Sequence, residues 1–82
     1  MDEKQIIQDF PIFSQLDRNG KTLCYLDSAA TTQKPLSVLE AMDTYYKTYN
    51  ANIHRGVYHI SELATEAHET TREKVRAWIH AR

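Results

Sequence analysis

The amino-acid sequence predicts a small α+β chain: an amino-terminal helix, a short β-hairpin and two longer helices. Three observations carry that expectation. Asn19-Gly20 separates two apolar runs, Phe13 to Leu16 and Thr22 to Leu26, and this dipeptide supplies the positive φ angles of a type I′ hairpin turn. Apolar residues recur three to four apart after Pro35 and again after Ser61, the period of a helix with one packed face. The length of 82 residues admits at most one small domain, and a chain of that size buries only about 60% of its unfolded surface.

The elements follow in order. Ile6, Ile7 and Phe10 define a short amphipathic helix that Pro11 should end, since the residue before proline is biased away from helical dihedrals. Such a helix reads as a docking arm. The hairpin comes next, its second strand ending at Asp27. Pro35 in a first turn, or Ser37 with Glu40 at capping-box spacing, starts a helix whose stripe is Leu36, Leu39, Met42, Tyr46 and Tyr49. The segment "NANIHRGVYHI" has neither helical nor alternating apolar spacing, and its Gly56 permits dihedrals that other residues avoid, so it reads as a loop. Ser61 then reads as the N-cap of a helix running to about His80, with Ala64, Ala67, Thr71, Val75 and Ile79 on one face and Trp78 beside them. Glu69/Arg72 and Glu73/Arg76 offer i,i+3 pairs on its wet side.

Composition narrows the function classes. A hydrophobic content of 41%, a charged content of 26% and a net charge of -1 describe a globular chain without the basic excess of a nucleic-acid binder. The start, "MDEKQIIQDF", lacks the basic and continuous apolar regions of a signal peptide, and no apolar run approaches the ~20 residues of a membrane span. The expectation is a cytoplasmic protein with no membrane and no nucleic-acid partner. Cys24, the single cysteine, excludes an internal disulfide and a multi-cysteine zinc site; its position between Leu23 and Tyr25 favours a buried structural thiol.

Two stretches draw attention as chemistry. His54 and His59 flank Arg55-Gly56, but they stand five apart across a glycine, whereas paired helical zinc ligands stand four apart. Histidines that hydrogen-bond across a loop are the better reading, and no metal site is expected. On spacing alone Arg55 reads as a surface salt bridge, with a guanidinium placed against a carboxylate or phosphate as the sharper alternative. In "DSAATTQKP" a strand end leads through small and hydroxylated residues into a helix. Ligands of α/β proteins lie in such places, and so do ordinary polar turns. Lys4, Lys21, Lys34, Lys47 and Lys74 all fall in turn or helical surface settings, none suited to Schiff-base chemistry.

Taken together, "YLDSAATTQKP", "NANIHRGVYHISELAT" and "REKVRAWI" resemble the amino-terminal end of the group II cysteine desulfurases. These are pyridoxal-phosphate enzymes of the class V aminotransferase superfamily, and the group includes selenocysteine lyase-like members. The resemblance covers nearly the whole chain, from "FPIF" to the last helix. The Leu-Asp-Ser-Ala-Ala-Thr turn is shared widely in the superfamily; the Asn-Ile-His-Arg-Gly-Val-Tyr-His block at this distance is much more specific.

The resemblance implies that residues 1–82 are a fragment, part of the small domain of a fold-type I pyridoxal-phosphate enzyme without its large cofactor-binding domain. It implies that Ala29 and Ala30 line the substrate side, and that His54, Arg55 and Gly56, with His59 beside them, lie near the active-site entrance at the interface of a homodimer. The family reaction takes sulfur from L-cysteine. The cofactor ring serves as electron sink and a cysteine thiolate attacks the substrate sulfur, leaving L-alanine and an enzyme persulfide for an acceptor protein in iron–sulfur cluster assembly. The family's Schiff-base lysine, phosphate loop and persulfide cysteine are expected beyond Arg82. No catalytic residue and no cofactor binding are therefore expected of the 82-residue chain alone, and its apolar stripes are expected to need a partner. The alternatives are a truncated interaction module derived from the same family, or a fragment of a selenocysteine lyase.

Overall fold

Helix α1, Glu3–Gln8, is the helix expected around Ile6 and Ile7, and a computed structural model describes it with the rest of residues 1–82. The Asp2 carboxylate accepts from the Lys4 backbone N–H at 3.0 Å and caps the first turn. The helix stops at Asp9. Phe10 takes extended dihedrals and Pro11 opens a 3₁₀ turn, Pro11–Ser14, instead of merely ending what precedes it. The Phe10 and Phe13 rings meet with centroids 6.0 Å apart.

The predicted hairpin is reduced to its turn. One antiparallel bridge joins Leu16 to Thr22, and residues 23–27 continue without a ladder. Nor is the turn type I′, because the left-handed conformation falls on Gly20 (φ 74°) and not on Asn19. The Asp17 carboxylate accepts from the backbone N–H groups of Asn19 (2.8 Å) and Lys21 (2.9 Å). The Gly20 N–H donates to the Asp17 carbonyl and the Asp17 N–H to the Lys21 carbonyl. This is the three-residue hairpin loop with glycine in the left-handed position, and the aspartate side chain, which can mimic a backbone turn, selects it. The strands fail for want of cover, since a lone two-stranded hairpin is marginal in water. Cys24 is exposed, contrary to expectation, in a shallow apolar cleft with Ile7, Phe13, Leu23 and Tyr25.

Helix α2, Leu36–Thr48, starts directly after Pro35, whose carbonyl accepts from Val38 and Leu39. Proline, not the Ser37/Glu40 pair, therefore marks the start. The Leu36 N–H reaches back to the Asp9 carbonyl at 2.7 Å. The chain divides into two units, Met1–Met42 and Asp43–Arg82, and the division falls inside α2. In the second unit Asp43 and Lys47 pair at 2.8 Å along α2, and Tyr45 meets both Tyr46 and Tyr49 edge to face.

Helix α3, His59–Trp78, begins two residues before Ser61, with Tyr58 as its N-cap. Its end is a Schellman motif. His80 is left-handed (φ 55°), its N–H bonds the Ala77 carbonyl, and the Ala81 N–H bonds the Arg76 carbonyl. Of the two expected i,i+3 pairs, Glu73 and Arg76 form one, with Nε donating to both carboxylate oxygens at 3.0 and 2.8 Å. Glu69 bonds elsewhere.

Burial is slight. Ser61 and Ala64 alone are buried, and the stripe residues Leu39, Met42, Tyr46, Val75, Trp78 and Ile79 all remain exposed. No helix is long and apolar enough to cross a membrane.

The Arg76 guanidinium beside Glu73 holds its carboxyl below the usual glutamate range, and Arg76 is raised in return. Because the folded value is depressed, the pair's support for α3 is present above the ordinary glutamate range and is lost as pH falls through the lower, folded value. Circular dichroism should find Glu73→Gln less helical than the parent at neutral pH, with the two converging in acid. Curves that stay parallel at all pH values would refute this.

Candidate functional site

Two groups of residues bear on function, one in each unit. In the first, Ser28–Ala30 form a turn, and Ala29 and Ala30 are both exposed in it. Their small side chains leave its backbone open. The turn is held from one side by Tyr25, whose hydroxyl lies within hydrogen-bond reach of the carbonyls of Asp27 and Thr31, on either flank. With a single proton, the hydroxyl donates to one of them at a time. Lys34 Nζ donates to the Thr32 carbonyl at 2.8 Å and steadies the exit toward α2.

In the second unit the loop before α3 lies along the amino-terminal half of that helix. Residues 61, 65 and 69 recur every fourth position and share one helical face. Each takes one group of the loop. Ser61 Oγ donates to the Asn52 carbonyl at 2.6 Å. Thr65 Oγ1 accepts from the His54 N–H at 2.9 Å. Glu69 Oε1 meets His54 Nε2 at 2.6 Å. The His68 ring adds an edge-to-face contact to His54, with centroids 5.6 Å apart. Ala64, three residues after Ser61 in α3, is 2% exposed.

Ser61 is thus no N-cap. Its side chain is fully buried and spent on the loop, which leaves the first turn of α3 without a side-chain cap. Gly56 makes this possible by close approach, not by unusual dihedrals. A Cβ at Gly56 would come within 2.5 Å of Ser61 Oγ and 2.7 Å of Ser61 Cβ, and within 2.5 Å of the Tyr58 ring. The left-handed residue is His54 instead (φ 63°), a conformation that costs an L-residue roughly 1–2 kcal/mol. The bond from its N–H to Thr65 holds the backbone there, and the contact of its ring with Glu69 fixes the side chain.

The candidate residues therefore separate. His54 is tied to α3 by backbone and ring together, so the expected histidine hydrogen bonding is found for His54 but not for His59. Arg55 follows it in the same turn, exposed and without an ion pair or hydrogen bond in the chain, so the surface salt bridge does not form. Gly56 touches the helix. His59 is already in the first turn of α3 and exposed. Sequence reasoning missed Tyr25, Ser61, Thr65 and Glu69. The signal for the last three was their fourfold spacing, opposite a glycine that follows two loop residues in need of partners.

A chain with this pinned small-residue turn and this loop-on-helix arrangement has close counterparts. The family model for aminotransferase class-V matches residues 24–82, and the chain belongs to that family. Within it, the similarity is to cysteine desulfurases. The chain is 52% identical over 81 residues to a probable cysteine desulfurase of Halalkalibacterium halodurans, across 99% of this chain and 20% of that protein. It is 51% identical over 81 residues to one from Staphylococcus aureus, across 19% of that protein. The apo structure of a cysteine desulfurase from Thermococcus onnurineus NA1 superposes with a TM-score of 0.81 at 35% identity, over 100% of this chain and 19% of that one. The chain thus spans about a fifth of the length of these relatives.

Gly56→Ala should destabilise the second unit by roughly 1–3 kcal/mol through overpacking against Ser61, and Ser61→Ala by about 1–3 kcal/mol by leaving the Asn52 carbonyl unpaired. The two share one contact, so the double variant should lose less than the sum. Chemical denaturation of the four proteins measures this, and strict additivity would contradict the close approach.

Proposed function

We propose that this chain is the amino-terminal segment of a pyridoxal-phosphate-dependent cysteine desulfurase. The full-length enzyme takes sulfur from L-cysteine, releases L-alanine and carries a persulfide to an acceptor protein for iron–sulfur cluster assembly. Identity of 52% with a probable cysteine desulfurase over all but one residue of the chain carries the reading. The segment's part in that enzyme is to shape the site. Ala29 and Ala30 supply a substrate-side wall without bulk, and His54, Arg55 and Gly56 form a loop at the entrance, with His59 beside it at the start of α3, against a second copy of the enzyme. An enzyme of this kind works in the cytoplasm as a homodimer.

Family membership implies pyridoxal 5′-phosphate in the full-length enzyme. The residues of this chain do not fit its covalent attachment. All five lysines are exposed; Lys34 is engaged with a backbone carbonyl and Lys47 with Asp43. A Schiff-base lysine is instead desolvated or placed beside another cation. The exposed thiol of Cys24 lies in an apolar cleft, not the electropositive setting that activates a persulfide-forming cysteine. Binding and shaping are what these residues supply, and the bond-breaking groups belong to the remainder of the enzyme.

The full-length protein that carries this chain should convert L-cysteine to L-alanine with a protein persulfide, while the 82-residue chain incubated with pyridoxal phosphate should retain no visible cofactor absorbance after gel filtration. Absence of cysteine-dependent alanine from the cofactor-loaded full-length protein would refute the first part; a retained band on the short chain would refute the second. Ala30→Tyr in the full-length enzyme should lower kcat/KM for L-cysteine on the order of tenfold or more, with the cofactor still bound, because a pocket wall that gains bulk discriminates steeply. An unchanged kcat/KM would remove Ala30 from the substrate side.

A further inference from the structure

We propose that Glu69 is a positioning residue for the entrance loop, acting through His54 to set the conformation in which Arg55 is presented. The inference rests on the reading of this loop as the mouth of a cysteine desulfurase.

The three bonds between the loop and α3 differ in kind. Ser61 and Thr65 serve backbone groups, the Asn52 carbonyl and the His54 N–H, and would do so whatever side chain stood at position 54. Glu69 bonds a side chain, and the one whose backbone is left-handed. It lies one further helical turn along the same face, so backbone and ring of His54 are gripped at two points of one rigid element. Both partners are about half exposed, at 49% for the His54 side chain and 53% for Glu69. Ion pairs so exposed contribute little to stability. What the contact supplies is direction. With Nε2 committed to a carboxylate, a neutral imidazole keeps its proton on Nε2 and its lone pair on Nδ1, so one tautomer and one ring orientation are selected.

Arg55 is the next residue, and its direction depends on the dihedrals held at His54. It has no partner of its own in the chain, which leaves its guanidinium available to a carboxylate. A cysteine substrate brings one. If the loop relaxes, the guanidinium is lost from its place while the chemistry beyond remains intact. The signature is therefore in substrate capture and not in turnover.

The test uses the cofactor-loaded full-length enzyme containing this chain. Glu69→Ala should raise KM for L-cysteine about tenfold with kcat within about twofold, and hydrogen exchange over residues 52–57 should quicken. Glu69→Gln keeps an acceptor of the same reach and should restore most of the KM. Glu73→Gln, one turn on and bonded to Arg76 instead, should leave both constants at the parent values. Equal KM for parent and Glu69→Ala overturns the proposal, as does a fall in kcat with KM unchanged. A parent enzyme that makes no alanine from L-cysteine refutes the desulfurase reading instead; the exchange comparison then decides whether Glu69 holds the loop, and equal exchange overturns that.

Discussion

The bond from the Ser61 hydroxyl to the Asn52 carbonyl is the contact on which the second unit depends. It is the most deeply buried polar contact in the chain, and it forms because Gly56 has no Cβ to keep the loop away from the helix. Once the loop is seated there, the Thr65 and Glu69 bonds fall on the same helical face one and two turns further on, and His54 is drawn into a conformation an L-residue otherwise avoids. A serine, a glycine and a helical period thus place His54 and Arg55 with scarcely any hydrophobic burial.

That economy matters because apolar packing is not available within these residues. Ala64 is the one buried apolar side chain, while most of the α2 stripe and the carboxyl-terminal part of the α3 stripe face water. Local hydrogen bonding does the ordering instead: a capped first turn at Asp2, an aspartate-closed turn at Asp17, a tyrosine between two carbonyls at the Ala29-Ala30 turn, and a Schellman ending at His80. Each is formed by residues near in sequence, so each is independent of a core. Elements that need lateral cover fare worse. The hairpin keeps its turn, where Asp17 and Gly20 suffice, and forms only the Leu16–Thr22 bridge of its ladder, where two lone strands do not.

The same division explains what the sequence made legible. Helix periodicity located all three helices, Pro35 located the start of the second, and the family resemblance of the Ala-Ala turn and the His-Arg-Gly block agrees with the aminotransferase class-V match and the desulfurase relatives. Asn-Gly alone points to a type I′ turn, but the Asp17 side chain favours the other loop. Ser61 was misread because a serine ahead of an amphipathic run has two uses, a cap and a clasp, and only the position of Gly56 in space distinguishes them. Spacing pairs Glu69 with Arg72, yet a histidine fifteen residues earlier takes it. Cys24 was expected to be buried because a strand was expected around it, and without the ladder it is exposed.

Trp78 is the sole tryptophan of the chain, and it stands 85% exposed near the end of the α3 stripe. Its indole therefore carries an optical record of what the stripe touches. In water the emission belongs to the long-wavelength, readily quenched class. Any surface that settles over Val75 and Ile79 must also dehydrate the ring beside them, shifting its colour to the blue and shielding it from iodide or acrylamide. The residue that leaves this face most uncovered is also a built-in fluorophore for watching it become covered, without a label and without altering the protein.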